Sequence, residues 1–206
     1  MEKQEIYSEL HSIRNLMERS AKFISLSGLS GIMAGVYALI GAAIAWYMVY
    51  GQNNYMDFQE HFVDQNGLLW NLFYLALAVL ILSIGTGILL TLRKAGKTNQ
   101  KVWNPISKKL LFSMLVPLLT GGCLILILFF RGYYGVIAPT CLIFYGLALV
   151  GASNYTFEDV KWLGLMELFL GIFAALLPGY GLFFWTIGFG LLHIIYGTIM
   201  HFKYDK

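Results

Sequence analysis

The stretch KWLGLMELFLGIF, Lys161–Phe173, is apolar enough to lie in lipid, yet it carries Glu167 at its centre. Gly164, Glu167, Gly171 and Ala174 follow one another at the three- and four-residue spacings that share one helical face, while Leu165, Phe169, Phe173 and Leu176 fall elsewhere. Small residues mark the faces along which helices pack closely in a membrane. The pattern therefore turns the carboxyl into a helical bundle and the bulky side chains toward lipid.

The rest of the chain agrees with that setting. Of 206 residues, 58% are hydrophobic and 12% charged, about half the charge of an ordinary soluble domain. Apolar runs long enough to cross a bilayer core of about 30 Å fall at about 23–50, 68–92, 110–130, 134–153, 160–177 and 181–201. The runs are continuous and lack the ten-residue alternation of a barrel, so helices are expected. The fold class is an all-α polytopic membrane protein, six transmembrane helices in three hairpins (residues 23–206), preceded by a short amphipathic cytoplasmic helix over 1–22.

Charge sets the orientation. Of the 14 Lys and Arg, all but Arg131 fall on the side that holds the N-terminal segment, the connection RKAGKTNQKVWNPISKK, Lys161 and the C-terminal tail. The connection GQNNYMDFQEHFVDQNG on the other side has acids and no base. By the positive-inside rule both termini are cytoplasmic, in a plasma membrane and, for a bacterium, the inner one. The net charge of +3 thus reports topology and contact with anionic lipid headgroups, and no nucleic-acid partner is implied. MEKQEIYSELHSIRNLMERSAK has no continuous apolar core and is not read as a signal peptide. The two cysteines, Cys123 and Cys141, lie in apolar segments, so no disulfide framework is expected.

Hairpins two and three show a faint likeness, which either a parallel repeat or chance in a low-diversity apolar sequence would give. GCLILILFFRG (Gly122–Gly132) lies against GIFAALLPGYG (Gly171–Gly181), and IFYG (Ile143–Gly146) against IIYG (Ile194–Gly197), both in the same direction, as in a parallel repeat. The turns are expected at RGYYG and PGYG, and Pro117 and Pro139 are read as interior helix prolines that can kink the third and fourth spans. With Gly171, Pro178, Gly179, Gly190 and Gly197, the third hairpin resembles the HdeD-like family over residues 160–204. The resemblance implies a six-helix bacterial membrane protein of Gly-rich repeats with a stress-related role and no defined reaction. The long first outer loop and the N-terminal amphipathic helix depart from that family.

Two groups of residues are candidates for function. In the sixth span Thr186, Gly190, His193, Gly197 and His201 share a face, and His193 falls at nearly the depth of Glu167, across a tight turn. A lone carboxylate at depth is costly, and pairing or protonation lowers the cost. Three arrangements answer to this: a structural Glu167–His193 hydrogen bond, a polar site for a proton, ion or small solute, or two side chains that miss each other. The second group is the seam Ile6, Leu10, Ile13 and Met17 on the N-terminal helix, suited to a second copy or a cytosolic protein. Ser27, Gly31 and Gly35 form a further small-residue face, within the bundle or between protomers. No metal-ligand spacing, phosphate loop or nucleophile elbow is present, so no catalytic residue, metal or cofactor is assigned. The leading expectation is a non-enzymatic protein of regulatory or assembly type that works by binding protein. The alternative is a small transporter or channel with Glu167 and His193 as a protonatable site.

Overall fold

A computed structural model describes residues 27–51, 66–97 and 102–204; the segment 1–22 with Ile6, Leu10, Ile13 and Met17 lies outside them. The described residues form helices and no strand. In chain order these are α1 (Gly28–Tyr50), α2 (Asn66–Lys97), α3 (Pro105–Phe130), a 3-10 turn (Tyr134–Val136), α4 (Ile137–Ser153), α5 (Asp159–Leu176) and α6 (Gly181–Tyr204). Five of them, α1, α2, α3, α4 with its preceding turn, and α6, are long and apolar enough to cross a membrane. This is the make-up of a multi-pass membrane protein. Helix α5 carries Asp159, Lys161 and Glu167 within its 18 residues, and this charge load separates it from the other five.

The helices run past the apolar spans wherever local chemistry favours it. Helix α3 starts at Pro105, five residues ahead of the expected span at 110, because Asn104 caps it. The Asn104 side chain accepts a bond from the Ser107 amide at 2.7 Å, and Ser107 Oγ accepts one from the Asn104 amide at 2.9 Å. Proline follows at the first helical position, where its missing N–H costs nothing. Helix α2 continues to Lys97, so that Lys94 and Lys97 close its last turn, where cations suit the exposed carbonyls. The 3-10 turn at Tyr134–Val136 shortens the fourth helix at its start. Pro139 consequently lies in the first turn of α4 and does not interrupt it, contrary to the sequence reading; Pro117 is interior to α3, as expected. At the two hairpin turns Gly132 (φ 80°) and Gly179 (φ 92°) adopt the left-handed conformation that side chains resist.

The helices pack as closely between hairpins as within them. Helix α1 lies between α2 and α6, α5 between α6 and α4, and α4 between α5 and α3. Helices α2 and α3 meet through rings at one end, where Trp70 and Phe73 lie 5.3 Å and 5.2 Å from Phe129, centroid to centroid. The joints α4–α5 and α6–α1 bring backbone against backbone. A Cβ on Gly164 would sit 2.8 Å from the Gly146 carbonyl oxygen, and one on Gly31 would sit 3.1 Å from Gly197 Cα. At the end opposite the ring contacts, Leu149, Phe157, Val160, Leu163 and Met200 form an apolar cluster, the larger of two among the described residues. It is closed by Asp159, which accepts bonds from Lys203 Nζ at 2.8 Å and from the Tyr204 hydroxyl at 2.7 Å.

Candidate functional site

Glu167 is fully buried at the middle of α5, and His193 is 5% exposed at the middle of α6. The face expected of α5 is the one observed: Gly164, Glu167, Gly171 and Ala174 are all buried. Gly164 and Gly171 lie against α4, and Glu167 points between α4 and α6 toward Leu142 and Gly188.

Helix α6 is less regular than its sequence implies. Thr186–Leu192 is a π-helical stretch, a wide turn that holds one residue more than an α-helical turn and recurs at functional sites. The face the sequence reading drew on α6 is shared between different neighbours. Gly190 and Gly197 face α1, against Leu39 and the backbone of Gly28–Ile32, whereas the His193 side chain turns to α4 and α5. The first-helix stripe is used inside the chain: Gly31 and Gly35 pack on α6, and the Ser27 carbonyl accepts a bond from Ser30 Oγ at 2.6 Å.

The imidazole is held at both nitrogens. Nδ1 lies 3.0 Å from the Gly188 carbonyl oxygen and Nε2 lies 2.8 Å from the Tyr145 hydroxyl. A carbonyl only accepts, so the proton sits on Nδ1, and Nε2 of the neutral ring accepts from Tyr145. Phe189 closes over the pair, 5.0 Å from the Tyr145 ring and 5.8 Å from the imidazole.

Glu167 Oε1 is 3.4 Å from His193 Nδ1. The two residues named from the sequence are therefore neighbours, but the Nδ1 proton is already given to Gly188. Neither carboxyl oxygen of Glu167 has a hydrogen-bond partner among the described residues. The structure replaces a simple Glu–His bond with a satisfied Tyr145–His193–Gly188 chain beside an unpartnered carboxyl. Gly188 makes the room for it: a Cβ there would lie 2.5 Å from Glu167 Oε2.

Sequence reasoning missed Tyr145 and Gly188. The signal for Tyr145 was present in the IFYG/IIYG likeness, which sets it against Tyr196; the Tyr196 hydroxyl is buried too but, unlike that of Tyr145, has no hydrogen-bond partner among the described residues. Nothing in the sequence marks the π-helical turn. Cys123 and Cys141 are free thiols, and no group of three or more His, Cys, Asp or Glu among the described residues could hold a metal ion. The fold and site define a helical membrane protein with an enclosed polar cluster of Tyr, His and Glu. Comparison with protein families, curated proteins and solved structures finds no match.

Proposed function

We propose that this chain is a small proton-coupled membrane transporter in which Glu167 binds and releases the proton beside His193 and Tyr145. In this reading α5 is a sixth span and both termini are cytoplasmic. One observation carries it: the Glu167 carboxyl is fully buried while both its oxygens lack hydrogen-bond partners among the described residues. A carboxyl kept only to fix helix register is expected to be bonded, because buried polar groups in native proteins almost always are. A charge at this depth is costly unless a proton or cation accompanies it, which makes such groups natural parts of proton and ion pathways. The wide turn at Gly188, next to the carboxyl, supplies the irregular backbone often found beside such sites.

The test is a pH jump applied to proteoliposomes adsorbed on a solid-supported membrane. Wild type gives a transient charge displacement as protons load, and Glu167→Gln, which keeps volume and hydrogen-bonding capacity, gives none. Equal signals from the two proteins overturn the proposal.

A second reading, a regulatory or assembly protein that binds another chain, draws on a different observation. Helix α2 leans on α1, and its face carrying Leu77, Ile81, Ile84 and Ile88 is exposed. The seam Ile6, Leu10, Ile13 and Met17 would then serve the same partner or a second copy. Loss of that partner, or of a dimer, on deletion of residues 1–20 with Glu167→Gln indistinguishable from wild type would favour this reading over transport.

A further inference from the structure

A groove of about 720 Å³ opens between α3 and α4, away from the Glu167 cluster. Its mouth is formed by Lys108 and Lys109, both exposed. Its walls are Phe112, Val116 and Pro117 of α3 and Leu147 of α4, with Ser113, Gly151 and Tyr155 completing the lining. No acidic residue among the described residues lines it. Trp103 stands at the same end, 66% exposed, with Lys108 Nζ 5.5 Å from its ring centroid. An indole and two lysine ammonium groups beside the start of an apolar helix are what a bilayer interface selects.

The groove is longer than its charged mouth needs. Lys108 to Pro117 spans about 13 Å along a helix, reaching from the interface into the hydrocarbon. Two local features shape its floor. Pro117 has no N–H to give the Ser113 carbonyl one turn back. Gly151 has no side chain, and a Cβ there would meet Ser113 Oγ at 2.6 Å. A free phosphate would occupy only the mouth. A ligand with an anionic head and an acyl tail matches both the charge and the length.

We infer that this groove is a binding site for one anionic phospholipid, its headgroup phosphate between Lys108 and Lys109 and an acyl chain along Phe112, Val116 and Leu147. Selectivity over a zwitterionic lipid comes from the two lysines, each contributing about fivefold at an anionic headgroup and together about thirtyfold. The site is independent of the Glu167 cluster and of the transport reading.

The experiment is native mass spectrometry of the full chain in mild detergent with equimolar phosphatidylglycerol and phosphatidylcholine. Wild type retains one phosphatidylglycerol in preference to phosphatidylcholine. Lys108→Gln/Lys109→Gln lowers that preference about thirtyfold, and Leu147→Trp, which fills the apolar wall and leaves both lysines, lowers occupancy by both lipids. Circular dichroism checks that each variant is helical. Should the double variant not accumulate, each single variant lowers the preference about fivefold. An unchanged preference in the lysine variants overturns the site. So does wild-type occupancy in Leu147→Trp, which would reduce the contact to surface charge. A lysine-dependent dimer in place of bound lipid would also overturn it.

Discussion

Gly188→Ala tests the placement of the Glu167 carboxyl without reference to function. The new methyl would stand 2.5 Å from Glu167 Oε2 and 2.6 Å from Leu142 Cδ2, about 1 Å inside ordinary contact for each. Glu167 and Leu142 are both fully buried, so neither can step aside into open space. Overpacking of this kind costs roughly 2–3 kcal/mol. The gain of Ala over Gly in a helix returns about 0.5–1 kcal/mol, which leaves a net loss of about 2 kcal/mol. In a Glu167→Ala background the carboxyl is gone, and the Leu142 methyl, at the end of a flexible side chain, can move into the vacated volume. The same substitution should then be close to neutral. The coupling between the two sites is therefore about 2 kcal/mol, well above the ~0.5 kcal/mol within which independent mutations add. The assay is reversible unfolding of the four proteins in mixed micelles, followed by circular dichroism. A Gly188→Ala cost that is the same with and without the Glu167 side chain would refute the geometry, and with it the account of an unpartnered carboxyl at the wide turn.

Other consequences follow from the same packing. Tyr145→Phe removes the donor to His193 Nε2 and should cost about 1 kcal/mol in the same unfolding assay, the usual size of a buried interhelical bond in a membrane protein. Gly197→Ala places a Cβ 2.5 Å from the Ile32 amide nitrogen, in backbone that cannot give way, and should cost at least about 2 kcal/mol. At Gly122 a Cβ meets nothing within 4 Å, so Gly122→Ala should stabilise by about 0.5–1 kcal/mol; the opposite order of these two variants would contradict the α1–α6 joint. Burial acts to push the Asp159 carboxyl up, but the bonds from Lys203 and Tyr204, with the charge of Lys203, outweigh it and hold the group below the usual carboxylate range. A depressed carboxylate stabilises the fold fully above the ordinary Asp value of about 4 and loses that contribution as pH falls through its folded value. The thermal midpoint should accordingly drop at acid pH, and the drop should be smaller in Asp159→Asn; equal acid sensitivity in the two proteins would count against the contact.

Much of this fold is legible because lipid imposes so few solutions. Segmentation into helices and hairpins follows from hydrophobic run length, and the inward face of α5 follows from Gly164, Glu167 and Gly171 alone. The start of α3 was also open to reading: Asn-Pro-Ile-Ser is a capping sequence, but it lies outside the apolar run and was passed over with the basic connection. Pro139 was misplaced because a proline near a span boundary fits either a first turn or an interior, and the 3-10 turn before it decides. The site was half legible. Depth and facing put Glu167 beside His193, but the partner of each nitrogen depends on Tyr145 and Gly188, which only the three-dimensional packing brings to the ring. Periodicity assumes 3.6 residues per turn throughout, and it fails at Thr186–Leu192, where the helix does not keep that period.

That failure has a structural use. The first turns of α6 pack on α4 and α5, and the later ones pack on α1. One helix must therefore present two different sequences of side chains to neighbours on different sides. The extra residue of the π-helical stretch is a phase shift of about 100° between the two halves. It lets Gly181–Trp185 lie against α4 and α5 while the later turns, with Gly197, lie against α1. Removing one residue from 186–192 would rotate the first turns of α6 against the later ones by about 100°, and the contacts with α4 and α5 and the Gly197 seam on α1 could no longer both be kept.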